Sequence, residues 1–234
     1  MFERAHHRDV ALILQSLQPQ ALAQRHCYFG GGTAMALRYG EYRESVDIDF
    51  LVSDLDAYRQ LRQALTGVQG LAAIVRPEAA PLAQVGELRA DQYGLRTRVL
   101  ADDHAIKLEI VYEARIALEA PGVADAVCGI ATLTRLDMAT SKLLANSDRW
   151  MDDGVFSRDL IDLAMLQPRL PQLRQAIAKA EAAYGASVRR DLQRAIERMH
   201  ERTGWLERCM RMMAMAVTQA EVWQKVRALR RVLV

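Results

Sequence analysis

Two aspartates spaced two apart, Asp47 and Asp49, stand in the stretch VDIDFLV at 46–52. On an extended strand, residues i and i+2 point to one face, about 7 Å apart along the backbone. Both carboxylates then project together, and Val46, Ile48 and Phe50 face the core. Two like charges side by side repel, and a divalent cation resolves the conflict because hard cations take anionic oxygen ligands. Metal ions clamped between such carboxylates and a triphosphate are a general solution for phosphoryl and nucleotidyl transfer. A bare Asp-x-Asp more often marks a polar edge strand, so the motif needs a neighbour.

The neighbour is Gly30-Gly31-Gly32-Thr33, between the apolar run 27–29 and an apolar helical stretch containing Met35, Ala36 and Leu37. Consecutive glycines permit positive φ and close backbone approach. A helix N-terminus offers free N–H groups and a favourable dipole to phosphate. Thr33 can add a hydroxyl donor or cap the helix. The turn lacks the Gly-Lys-Ser/Thr of a Walker A loop and the spacing of a dinucleotide fingerprint.

A glycine turn, one helix and a strand bearing Asp-x-Asp put a phosphate cradle beside a metal site. The segment GGGTAMALRYGEYRESVDIDF resembles the opening motif of the AbiEii/AbiGii-type nucleotidyltransferases, a branch of the DNA polymerase β-like superfamily. The matching residues are Gly31, Gly32, Thr33, Ala34, Ala36 and Leu37, then Arg43, Ser45, Asp47, Ile48 and Asp49. The resemblance implies catalysis by Asp47 and Asp49, and nucleotide contacts from Gly31, Gly32, Thr33 and Ser45. It also implies a third metal carboxylate on a nearby strand. Glu109 in AIKLEIVY is the first choice, because it alternates with Leu108 and Ile110 and shares its face with Lys107. Glu113 and Asp103 are the other choices. The ions implied are Mg²⁺ or Mn²⁺, with a nucleoside triphosphate (NTP) as substrate.

The likeness extends to residue 166. TRLDMATSKLLANSDRWMDDGVFSRDLIDLAML is similar to the family's later motifs at Lys142, Leu143, Ala145, Arg149, Arg158, Asp159, Asp162 and Leu163. It implies that Lys142 and Arg149 bind the nucleotide's phosphates and that Asp159 acts in catalysis or positions Lys142. The role of Asp162 stays open. Lysine is rare here, with four against 27 arginines, so Lys142 is informative. The two cations are not interchangeable, and an ammonium is a compact charge suited to phosphate.

The elements that must position these residues divide into two parts. Residues 1–133 read as a nucleotidyltransferase-like α/β domain, and 134–234 as a helical domain completing the active site through Lys142 and Asp159. The fold class is α+β, a mixed sheet with flanking helices followed by an all-helical region. Periodicity predicts helices over 8–25, from Thr33 to Gly40, and over 55–66. It predicts strands over 46–52, 71–76, 93–100 and 105–112, the last two joined by a turn at 101–104. A short strand is expected within 127–131. Helices follow at 134–147, 157–166, 169–183, 187–202, 205–214 and 218–233.

Half of the 234 residues are hydrophobic (51%) and 26% are charged, which excludes collagen-like, disordered and disulfide-scaffold classes. Cys27, Cys128 and Cys209 are too scattered for a disulfide framework or a structural zinc site. The start carries no signal-like apolar segment and no run is long enough to span a membrane, so a cytoplasmic location is expected. Net charge is only +2, yet eleven Lys/Arg against five Asp/Glu follow Ser187. Arg189, Arg190, Arg194, Arg198 and Arg202 form one helical stripe that can track an RNA backbone. His6-His7 reads as exposed polar sequence, and Met210, Met212, Met213 and Met215 as helix core.

Members of the resembled branch include toxins of toxin–antitoxin systems. The function expected is Mg²⁺-dependent transfer of a nucleoside monophosphate (NMP) to an acceptor, foremost RNA or tRNA, with an antitoxin protein as partner. The competing readings are modification of a protein or small molecule, and a non-catalytic nucleotide-binding interaction protein.

Overall fold

A computed structural model describes residues 2–233 of the chain. These fall into two units, one of residues 2–38 and 45–134, the other of 39–44 and 135–233.

The first unit is built on a five-stranded mixed sheet of order β1-β2-β5-β4-β3. Its strands are β1 (Tyr28–Gly30), β2 (Ile48–Val52), β3 (Gln84–Ala90), β4 (Gly94–Ala101) and β5 (His104–Tyr112). Strand β2 runs antiparallel to β1 and parallel to β5. Ile48, Phe50 and Val52 are fully buried, as suits a central strand. Strands β4 and β5 form a hairpin whose turn places Asp102 at φ 48°, a conformation aspartate tolerates. Helices α1 (Ala5–Ser16), α2 (Pro19–Ala23), α3 (Gly31–Arg38) and α4 (Leu55–Thr66) flank the sheet. Asp54 caps α4 by accepting from the Ala57 N–H at 2.7 Å. A two-stranded ribbon, β6 (Ala126–Val127) with β7 (Ile130–Ala131), completes the unit.

Three local expectations are corrected, and one strand is added. The helix over 8–25 is two helices, because Pro19 forces Gln18 out of the α region and starts α2. Residues 70–74 form a 3-10 turn, not a strand, burying Leu71 and Ile74 three apart around two alanines of low strand preference. Strand β3 has no apolar alternation because it is an exposed edge, with a register shift between Val85 and Arg89. Strand β2 begins at Ile48, so Val46 lies outside it and is 39% exposed rather than in the core.

The second unit is helical: α5 (Arg135–Arg149), α6 (Arg158–Leu166), α7 (Leu170–Tyr184), α8 (Ser187–Glu201), α9 (Trp205–Met212) and α10 (Gln219–Ala228). Helix α5 packs against α6, α7 and α8. Leu143, Leu160, Ile177, Leu192 and Ile196 are fully or almost fully buried. Of the methionine cluster only Met213 joins the core, whereas Met212 is 55% exposed. Among the described residues no helix is long and apolar enough to cross a membrane. The three cysteines are free thiols.

Candidate active site

Asp49 sits in β2 opposite Gly30 of β1 on one side and Glu109 of β5 on the other. Residues paired across strands share a face, so the Asp49 and Glu109 carboxylates project together. Asp47 lies just before the strand and is half-buried. Lys107, two residues before Glu109, reports on all three acids. Partial burial disfavours its ammonium, but Glu109, Asp49 and Asp47 together hold its pKa above the ordinary lysine value. Lys107 Nζ and Arg96 Nε both donate to the Glu109 carboxylate.

The glycine bend lies directly against Asp49. Gly31 has φ +69°, and a Cβ built there would stand 2.5 Å from Asp49 Oδ2 and 3.0 Å from Asp49 Cβ. Only glycine lets the backbone come this close at that torsion. Gly31→Ala is therefore expected to strain the bend and push Asp49 aside. A misplacement of about 1 Å can cost about 100-fold in rate, and a loss of that order in nucleotide transfer is expected. A wild-type rate from Gly31→Ala would show that the bend does not shape Asp49.

Helix α3 starts at Gly31, so Thr33 is inside it rather than its cap. The Thr33 hydroxyl is buried and donates to Ser45 Oγ at 2.8 Å, and the Ser45 N–H donates to His7 Nε2 at 3.2 Å. Ser45 Oγ keeps its own proton for another acceptor. His7 is fully buried, which corrects its reading as exposed polar sequence. The other acids considered for the metal lie elsewhere. Glu113 follows the end of β5 and is held by Arg115, and Asp103 is on the β4–β5 turn.

The helical unit gathers the remaining candidates into a buried network. Lys142 Nζ lies 3.0 Å from Asp159 Oδ1 and 2.7 Å from Asp162 Oδ2. Arg149 donates to both oxygens of Asp159, at 2.6 and 3.0 Å. Asp162, fully buried, also accepts from Tyr42 Oη and from Nε and Nη2 of Arg43, at 2.7, 2.7 and 2.9 Å. Burial alone would raise the Asp162 carboxyl, but Arg43 and Lys142 outweigh it and hold it well below the carboxylate range. Asp159 is lowered too, burial again being overcome by Lys142 and Arg149. Asp162 is thus a hub of this network. Its i, i+3 spacing from Asp159 was the available signal; its pairing with Arg43 was not legible.

The arginine stripe of α8 is largely committed within its own unit. Arg198 and Arg202 both donate to Asp153, and Arg202 stacks 4.1 Å from the centre of the Trp205 ring. Those two arginines pull the Asp153 carboxyl down to about 2. Arg189 pairs with Glu181 and Arg190 with Asp191. A second basic surface lies on the sheet. Arg89 pairs across β3–β4 with Arg96, which faces Glu109, and Arg98 faces Lys107. These four cations line a groove of about 600 Å³ together with Val85, Gly86, Glu87 and Thr97.

Two solved structures share the fold. JHP933 from Helicobacter pylori superposes with a TM-score of 0.54 at 17% identity, covering 100% of this chain and 93% of that one. A second H. pylori structure, with a provisional nucleotidyltransferase assignment, gives 0.55 at 17% identity, covering 99% and 96%. No curated protein sequence matches the chain. The profile of the family described as nucleotidyl transferase AbiEii toxin, type IV toxin–antitoxin system, matches residues 12–229. With nearly the whole chain spanned by that match, the protein belongs to the AbiEii nucleotidyl transferase toxin family.

Proposed function

We propose that this chain transfers NMP from an NTP to an RNA hydroxyl, with tRNA foremost, in a Mg²⁺- or Mn²⁺-dependent reaction. The observation that carries this reading is one row across the sheet. The glycine bend abuts Asp49, Asp49 pairs with Glu109, and Arg96 and Arg89 extend the same row. Acid for a metal and base for a polyanion thus lie side by side on one surface.

Asp47, Asp49 and Glu109 are the residues that would hold a divalent ion: all three offer hard oxygen donors, and Asp49 and Glu109 share one face of the sheet beside the glycine bend. Such an ion, when bound, neutralises triphosphate charge and lowers the pKa of the acceptor hydroxyl. The N–H groups of Gly31 and Gly32 and the start of α3 cradle phosphate oxygens. The Ser45 hydroxyl adds a donor from its pair with Thr33. By the family likeness, Lys142 and Arg149 bind the β- and γ-phosphates. Lys142 has three donors, of which Asp159 and Asp162 take two. The acceptor oxygen bonds to the α-phosphorus as the bond to pyrophosphate breaks, and no covalent intermediate on the protein is needed.

The sheet cations serve the acceptor better than the α8 stripe, because most of that stripe already pairs with acids of its own unit. Membership in a type IV toxin family supports an antitoxin partner and a cytoplasmic setting.

Incubation with each α-labelled NTP, Mg²⁺ and total RNA tests the proposal. Label is expected in RNA. Arg98→Glu should cut RNA labelling about 10-fold and lower the slope of log affinity against log salt by about one. Triphosphate affinity should be unchanged. Label found only on protein or on a small molecule would overturn the RNA acceptor.

A further inference from the structure

Apart from the acidic triad Asp47, Asp49 and Glu109, a closer group of metal-ligating side chains lies on α1 and β5. His6 and Asp9 lie three apart on α1 and so share a helical face. His104 is the first residue of β5, immediately after the hairpin turn. His104 Nδ1 stands 3.0 Å from Asp9 Oδ2, and one ligand atom from each of the three residues lies within 4.8 Å of the others. The His6 and His104 rings are 5.1 Å apart and tilted by 58°. Asp9 is buried, His6 is half-buried and His104 is exposed, so the cluster has a fixed acid and an open side.

We propose that His6, Asp9 and His104 form a second metal site, for a borderline transition ion, with Zn²⁺ the best fit. Two imidazoles and a carboxylate suit zinc, whereas Mg²⁺ takes oxygen ligands and keeps its waters. Zinc binds such donors at about 2.0–2.2 Å in a tetrahedron, which puts neighbouring donor atoms about 3.3 Å apart. The separation of His104 from Asp9 is already close to that. Three protein donors leave a fourth position for water. The bound ion staples α1 to the start of β5, the strand that carries Lys107 and Glu109. It also fixes the helix turn holding His7, which accepts the Ser45 N–H. The site therefore tightens two supports of the acidic triad without being part of it.

The test uses full-length protein with any affinity tag removed, stripped with chelator and kept in excess Mg²⁺ so that hard-oxygen sites are taken. Titration with Zn²⁺ against a chromogenic chelator should give one zinc per chain. At 100-fold excess over Kd, Tm should rise by about 5–10 °C. Co²⁺ in place of zinc should give visible absorption. His6→Gln and His104→Gln should each weaken zinc binding roughly 100-fold or more, since losing even an outer partner of a metal ligand costs about 10–100-fold. Their metal-free Tm should match wild type, which separates ligand loss from misfolding. Asp47→Asn should keep the zinc. No saturable zinc, zinc that survives both histidine changes, or zinc lost in Asp47→Asn would each overturn the proposal.

Discussion

Asp49→Asn is expected to reduce NMP transfer by about 1,000-fold while leaving the fold intact. The change keeps the side chain's size and so does not disturb its contact with Gly31. It removes the carboxylate that shares a face of the sheet with Glu109, and with it the anionic oxygen a hard cation needs. A metal's charge stabilisation of such a transfer is worth several kcal/mol, and about 4 kcal/mol corresponds to about a thousandfold in rate. Stability should change little. Asp49 is half-buried, and Lys107 keeps Glu109 as its close partner. Relief of like-charge repulsion offsets part of the lost attraction to Lys107. The measurement pairs single-turnover transfer at saturating Mg²⁺ with Tm. A rate within about tenfold of wild type would remove Asp49 from the chemistry, and a collapsed Tm would mean its role is structural.

Strand β2 is readable because its signal is local. Asp47 and Asp49 alternate with apolar residues over one short stretch, and Glu109 alternates with Leu108 and Ile110 in the same way. The register that puts Asp49 opposite Glu109 was not readable, since it joins segments sixty residues apart and is set by packing of the whole sheet. Strand β3 leaves no signal in the sequence because an edge strand exposed on both faces has no reason to alternate. The α8 arginines looked like a free stripe because a sequence shows charges but not partners. Asp153, in the segment between α5 and α6, is what holds two of them. The burial of His7 is hidden from the sequence for a related reason. A histidine beside another on a polar helix start reads as surface, yet its partner is the Ser45 backbone far along the chain.

Asp162→Ala should be the most destabilising single change in the helical unit. A fully buried carboxylate there answers Arg43 and Lys142 at once and accepts a hydrogen bond from Tyr42. Removing it leaves two cations out of water with their shared counter-charge gone. Breaking a buried pair from one side costs about 3–5 kcal/mol, which is a Tm fall of roughly 10 °C or more for a chain of this size. Asp162→Asn keeps the volume and isolates the charge. The effect must depend on pH, with a definite sign. The folded-state pKa of Asp162 is depressed, so its contribution is fully present above the unfolded value of about 3.9. It is lost as pH falls below that value towards the folded one. The gap in stability between wild type and Asp162→Asn should therefore be widest near neutral pH and shrink as the solution is taken below about pH 4. Asp159, lowered in the same direction, adds to the acid sensitivity of both proteins and does not mask the difference. Tm measured from pH 7 down to pH 3 gives the test. A gap that stays constant would mean the carboxylate's charge is not what holds Arg43 and Lys142, and that its loss is felt through packing alone.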